Sequence, residues 1–307
     1  LYGDTFGWER AKWYAAKGEK ENYSFRRNNS FTAVAEECKA VRERVGLTDL
    51  TSFSKYEVSG KGAQGFLERL CANRVPIKAG GIVLSQMLTE KGGIESEATI
   101  ACLAENHYYL LSAAVAELHD FDWLVQHIKK GEDVSVNNVT EDFGVLLLTG
   151  PISRDVLSTL TKADLTNGSG FTWMRAKAIS VSGIPVRALR VSYVGELGWE
   201  LHCPMPRLAE LHDALMQAGG PHGICRFGTY AMNSLRMEKA YKGWGSELTT
   251  EISLVESDML RFARKTGGYI GADVVESKKR NGVPIHLVYC EVDTVDADPM
   301  GNEPVLD

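Results

Sequence analysis

The chain has 307 residues, 44% of them hydrophobic and 24% charged, with a formal net charge of -6. That length and apolar content allow more than one core and point to about two domains, while the acidic balance and lack of a basic run argue against a nucleic-acid partner. No apolar stretch nears the roughly 20 residues that span a bilayer, and the 6 cysteines and 7 histidines show neither redox nor zinc-ligand spacing, so reduced thiols and no metal centre are expected.

From the N-terminus, an aromatic word FGWER (Phe6 to Arg10) precedes residues 31–46. There Val34, Cys38, Val41 and Val45 share one helical face, and Gly46 stands where a helix-ending glycine belongs. Residues 47–60 alternate as one strand, residues 62–75 read as a helix, and strands follow at 82–90, 95–104 and 107–113. A helix at 121–130 and the strand-rich stretch 134–150 lead to a second round: helix 153–160, strands 178–183, 185–194 and 199–204, then helices 207–219 and 227–240. The mixed order predicts two similar α+β units in series rather than strict βαβ repetition. Neither GxGxxG nor a Walker motif occurs, so no nucleotide-binding domain is expected here. Because it begins at Leu1, the chain reads as a piece of a longer polypeptide.

The segment SYVGELGWEL (Ser192 to Leu201) sets Glu200 between Trp199 and Leu201, just after a turn at Gly195 to Gly198. Alternation puts Trp199 and Leu201 on one face and Glu200 and His202 on the other. Glu200 is therefore either a solvated residue or the polar anchor of a pocket.

GGIESE (Gly92 to Glu97), LLLTGP (Leu146 to Pro151), SYVGELGWEL and NSLRMEKAYKGWG (Asn233 to Gly245) occur in this order in folate-dependent one-carbon transferases. On these words the chain resembles the glycine-cleavage T-protein superfamily of aminomethyltransferases, and within it the folate-binding C-terminal half of dimethylglycine and sarcosine dehydrogenases. The likeness runs from FGWER to the final DPMGNEPVLD. It implies an α+β fold of two successive mixed α/β units with the start of a C-terminal β-barrel domain. The expected division is a linker and helix at 1–48, a first unit at 49–140, a second at 141–245 carrying the pterin site, and a truncated β domain beginning within 246–307.

The resemblance also implies the chemistry. Tetrahydrofolate is the expected cofactor, and its pterin presents two adjacent N–H donors that one carboxylate accepts together. Glu200 matches the family's pterin carboxylate, and Tyr193, expected opposite it on the preceding strand, would line the same pocket with an aromatic face. Met87 and Trp244 complete the expected cofactor contacts, although Trp244 is equally readable as core packing. Glu97 stands where relatives carry the catalytic aspartate; the alternative for it is a strand-edge charge. Its extra methylene displaces the carboxylate by about 1.5 Å, a shift that can cost about a hundredfold in rate. Ala113 and Met232 replace an asparagine and an arginine of the T-proteins, which weakens glycine cleavage more than folate binding. Glu196 is expected to be structural or solvated, and Arg236 and Glu238 to form a polar pair that holds their helix against the pocket.

The implied activity is capture of a one-carbon unit, from an N-methyl amine or formaldehyde donor, as 5,10-methylenetetrahydrofolate, with the folate amine as nucleophile and no protein nucleophile required. FAD is expected only on a missing N-terminal domain, so the expected partner is a flavin-type oxidoreductase domain or subunit, in a bacterial cytoplasm or mitochondrial matrix. Two rivals stand beside this: the folate module of a non-flavin demethylase, and a catalytically silent regulatory or scaffold subunit.

Overall fold

The computed structural model describes residues 1–307 apart from Ser169, Met300, Asn302 and Asp307, so three residues of DPMGNEPVLD lie outside the described residues. The periodic residues 31–46 form α1 (Ser30–Glu43), with Val41 buried and Val34 and Cys38 packed beside it. Gly46 does not cap this helix but opens the next strand. Its need for glycine is a close approach: a Cβ there would lie 2.5 Å from Val41 Cγ2 and 2.8 Å from the Phe227 ring.

Residues 47–60 form two strands in different sheets rather than one. β3 (Gly46–Asp49) ends where Asp49 Oδ1 accepts the Thr51 N–H at 2.7 Å, a side-chain turn that breaks the alternation, and β4 (Ser54–Ser59) begins beyond it. Lys55 explains why the break holds. Its fully buried ammonium donates to the carbonyls of Thr51 and Phe53, both at 2.8 Å, and of Thr140 at 2.9 Å, tying this linker to a second one crossing between the sheets.

β4, β5 (Ile82–Leu88), β6 (Ile94–Ala104), β7 (His107–Ser112) and β8 (Ser135–Asn138) build a five-stranded antiparallel sheet in the order β5-β6-β7-β4-β8. The six-stranded sheet runs β10-β11-β12-β9-β3-β13, from β9 (Phe143–Thr149), β10 (Ala176–Val181), β11 (Ile184–Leu189), β12 (Gly198–Pro204), β13 (Cys225–Arg226) and β3. A short hairpin of β1 (Tyr2–Thr5) and β2 (Trp8–Ala11) stands apart. The sheets interleave in sequence, since β3 sits beside β9, about a hundred residues later.

Helices α2 (Ala63–Leu70) and α3 (Glu117–Gln126) cover the outer face of the five-stranded sheet, where Phe66, Leu70 and Leu124 pack on Ala98, Tyr108 and Leu110. On the outer face of the other sheet, α4 (Ser153–Ser158) and α5 (Leu208–Gly219) bury Val156, Leu157, Leu211 and Leu215 against Trp199 and Leu201. Each such side chain removed from water contributes about 1.5–3 kcal/mol. α6 (Thr229–Met237) and α1 pack on Val145 and Leu147 of the inner face, and α7 (Ala272–Asn281) packs near Leu88 and Ile94. Beyond α7 the described residues carry no strand, and no barrel closes among them. No helix among the described residues is long and apolar enough to cross a membrane.

A buried carboxylate helps to hold the N-terminal segment. Glu37 of α1 accepts N–H bonds from Tyr14 at 2.6 Å and from Gly228, at the start of α6, at 2.9 Å. Replacing Glu37 with alanine orphans both donors and should lower stability by about 2–3 kcal/mol in denaturant unfolding; a loss under about 0.5 kcal/mol would show that the clamp holds nothing.

Candidate functional site

The inner faces of the two sheets meet, and register fixes what they present. On β6, Glu97 shares its face with Ala101, which pairs with Tyr109 of β7. On β12, Glu200 shares its face with His202, and Tyr109 O–H lies 3.1 Å from His202 Nδ1. Leu189, the β11 partner of Glu200, packs with Ala101, Tyr109 and Leu111. Glu97 and Glu200 therefore point into the same inter-sheet space from opposite walls.

Glu97 pairs with Gln86 of β5, whose Nε2–H donates to its Oε2 at 2.6 Å. Part of the side chain is exposed, yet enough protein surrounds the carboxylate that burial pushes its pKa up to about 7, against the Gln86 hydrogen bond and the positive charge of Lys242. A carboxylate poised there can take or give a proton near neutral pH.

Tyr193 is not opposite Glu200, as the sequence predicts, because β11 ends at Leu189 and the chain from Arg190 to Leu197 loops away. Pairing with the segment before β10 runs on only to Arg190, where Arg190 N–H donates to Arg175 O and Met174 N–H to Arg190 O, and the chain turns there as Val191 N–H donates back to Leu189 O at 2.9 Å. Gly195 then turns with φ 75°, a conformation suited to glycine. Tyr193 lies beside the cluster that contains Leu147, the β9 partner of Glu200, so both side chains stay on the inner side of the sheet. Its O–H donates to Lys242 O at 3.1 Å, its ring stacks near Tyr241 at 6.3 Å, and burial, with the charges of Glu97 and Glu247, pushes its pKa up to about 12 despite Arg236.

The 241–247 segment is shaped by Arg236 of α6, which donates to Tyr241 O and Glu247 Oε1, both at 2.9 Å, while Glu247 Oε2 accepts the Gly243 N–H at 2.7 Å. The expected pairing of Arg236 with Glu238 is thus replaced: Glu238 points to Arg42 of α1. Glu196 lies 3.7 Å from Lys239.

Trp244 packs with Leu248 and Leu254, and its ring lies 5.6 Å from that of His119, which is held between Glu95 at 2.7 Å and Asp120 at 3.0 Å. Burial opposes a charge on His119, but hydrogen bonds to Asp120 and Glu95 carry its pKa above the usual histidine value. Met87 is a correction: it is 2% exposed and packs with Ala98 and Ile100 beneath α2, on the face of the sheet opposite Glu97. Alternation separates it from the cleft that its neighbour Gln86 faces. Ala113 offers its carbonyl to Ser54 Oγ, and Met232 lies in the core under α6.

Gln86, His202, Lys242 and Glu247 were not singled out by the sequence. Gln86 was accessible, because a hairpin turning at Thr89 to Gly93 sets it across from Glu97. His202 shares a face with Glu200 by simple alternation, but its partner Tyr109 is 93 residues away and carries no local signal.

The Glu200 carboxylate accepts no hydrogen bond among the described residues; the imidazole of His202 lies beside it, with Nε2 at 3.4 Å. The side chain keeps 15% of its surface. An acceptor left open on a mostly buried carboxylate can take a pair of adjacent N–H donors. Of two surface concavities, one is lined by Arg69 with residues 268–274 and the other by Phe143, Pro185, Arg187 and His202; neither includes Glu97, Glu200 or Tyr193.

This arrangement of two facing sheets is that of an aminomethyltransferase fold. The glycine cleavage system aminomethyltransferase T from Bartonella henselae superposes with a TM-score of 0.77 over 92% of this chain and 72% of that one, at 22% identity. Residues 1–266 match the family model described as the GCVT N-terminal domain, and the chain belongs to that family. It is 40% identical over 304 residues to the mitochondrial dimethylglycine dehydrogenase of Homo sapiens, covering 97% of this chain and 35% of that protein. An aminomethyltransferase of Anoxybacillus flavithermus is 32% identical over 266 residues, 85% of this chain and 72% of the other. The chain thus spans about a third of the dimethylglycine dehydrogenase it matches.

Proposed function

We propose that the chain binds tetrahydrofolate between the two sheets and there accepts a one-carbon unit from demethylation of an N-methyl amine of the dimethylglycine or sarcosine type. The observation that carries this is the Glu200 carboxylate, mostly buried yet without a hydrogen bond among the described residues. Tetrahydrofolate, when bound, would supply two amine nitrogens as nucleophiles, so that the carbon of formaldehyde joins both with loss of water, or that of an iminium joins both with release of the demethylated amine, as 5,10-methylenetetrahydrofolate.

The chain's own residues bind, orient and handle a proton. Glu200 accepts the paired pterin donors, and Tyr193 offers a ring face beside them. Glu97, with its pKa up to about 7, takes a proton from the attacking amine or a bridging water, while Gln86 fixes its direction. Arg236 and Glu247 hold the 241–247 segment that carries Lys242 and Trp244. The oxidation that makes the iminium is assigned to a flavin-type domain or subunit outside this chain, by analogy with the dehydrogenase relatives.

The test is formation of 5,10-methylenetetrahydrofolate from tetrahydrofolate and formaldehyde. The parent chain should accelerate it well above the uncatalysed condensation. Folate binding with no acceleration would reduce the protein to a folate-binding scaffold.

A further inference from the structure

His202 is fully buried, and its Nε2 makes no hydrogen bond among the described residues. Burying an orphaned imidazole nitrogen costs stability that an apolar side chain at the same position would not. Nothing in the packing of β12 requires histidine there, since its register partners are Val145 and Arg187. The surroundings nevertheless fix this ring closely.

On one side Tyr109 O–H lies 3.1 Å from Nδ1, with the two rings edge to face at 5.4 Å. Tyr109 is itself fixed by Arg187, whose guanidinium lies 5.0 Å from the Tyr109 ring and 4.3 Å from the Phe143 ring, and forms an ion pair with Glu57 at 2.7 Å. On the other side Nε2 lies 3.4 Å from Glu200 Oε2. That is too long for a formed hydrogen bond, but such contacts at ligand-free sites often shorten when the ligand arrives. The chain of contacts crosses from the five-stranded sheet to the six-stranded one and ends on the candidate anchor.

We propose that His202 is a positioning residue for Glu200: Tyr109 donates its O–H to Nδ1, so the imidazole keeps its proton on Nε2, aimed at Glu200 Oε2, and turns the carboxylate toward the donor pair that enters the cleft. This rests on Glu200 being the pterin anchor. Facing groups are consistent with a neutral ring: burial first, then the charges of Lys55 and Arg187, hold its pKa below the usual value, and the contact with Glu200 only partly offsets them. The Tyr109 oxygen can donate or accept, but the Glu200 carboxylate beyond Nε2 can only accept, so the two contacts together favour hydrogen on Nε2 and leave Nδ1 to take the Tyr109 O–H.

Nitrogen NMR of the imidazole in the folate-free chain reads the tautomer directly. Protonation at Nε2 alone is expected, with loss of that preference in Tyr109→Phe; protonation at Nδ1 would overturn the proposal whatever the chain binds. Calorimetry with tetrahydrofolate supplies the second arm. His202→Leu should weaken affinity about 10- to 100-fold. His202→Gln, which can accept from Tyr109 and donate to Glu200, should recover most of it. In a Glu200→Gln background, His202→Leu should change affinity by no more than about 3-fold, because the two residues act as one unit. Equal losses in both backgrounds would make His202 an ordinary core residue. Should Glu200→Gln alone leave affinity untouched while the tautomer is Nε2–H, the pterin assignment fails rather than the contact.

Discussion

Glu97→Gln should slow formation of 5,10-methylenetetrahydrofolate by about 10²–10⁴-fold, with tetrahydrofolate affinity changed little. Glutamine keeps the length and can still accept from Gln86, but it cannot take a proton. The same variant should carry a stability signature with a definite sign. Burial raises the Glu97 pKa from 4.5 to about 7, so the folded chain binds this proton more tightly than the unfolded one. Its stabilising share is full below about pH 4.5 and is lost as pH rises through about 7. At pH 8 the ionised carboxylate burdens the fold, and Glu97→Gln should unfold later than the parent, by about 1–3 kcal/mol; near pH 4.5 the difference should vanish. Glu97→Asp should retain the rate, because it restores the shorter acid of the relatives. Equal turnover in parent and Glu97→Gln, both saturated with folate, would remove the catalytic role.

Lys55→Met should cost about 2–4 kcal/mol of stability. The Lys55 ammonium is fully enclosed, and burial pulls its pKa down to about 8, so it remains charged at neutral pH. Methionine fills similar volume but leaves the carbonyls of Thr51, Phe53 and Thr140 without their shared donor. These carbonyls lie on the two linkers that join the sheets, so the loss is at the frame of the cleft. Guanidinium unfolding at pH 7 measures it, and a change below about 0.5 kcal/mol would contradict the role given to this lysine.

Sequence pattern carried much of the architecture. Periods of 3.6 and 2 located α1, α5 and α6 and most strands, because those elements have one apolar face each. The pattern failed where a polar contact cuts an apolar rhythm. Residues 47–60 read as one strand although Leu47, Leu50, Phe53 and Tyr56 fall three apart, and the Asp49 turn and the Lys55 ammonium show two strands in two sheets. Tyr193 was misplaced for a related reason: the strand pattern continues past Leu189, while the chain turns away at Arg190.

At the site, alternation gave the facing of Glu200, and the family words singled out Glu97 and Glu200. Met87 fell to the wrong face because resemblance transfers a position without its register. What could not be read were contacts distant in sequence. Tyr109 with His202 and Arg187 with Glu57 arise only when the two sheets meet.

Titration calorimetry with tetrahydrofolate on the parent, Glu200→Ala and Glu200→Gln tests the central claim most directly. The parent should bind, and both variants should lose about 2–5 kcal/mol, because each removes the carboxylate that accepts two donors in a mostly buried site. Tetrahydrofolate affinity unchanged in both variants would contradict the assignment of Glu200 as the pterin anchor.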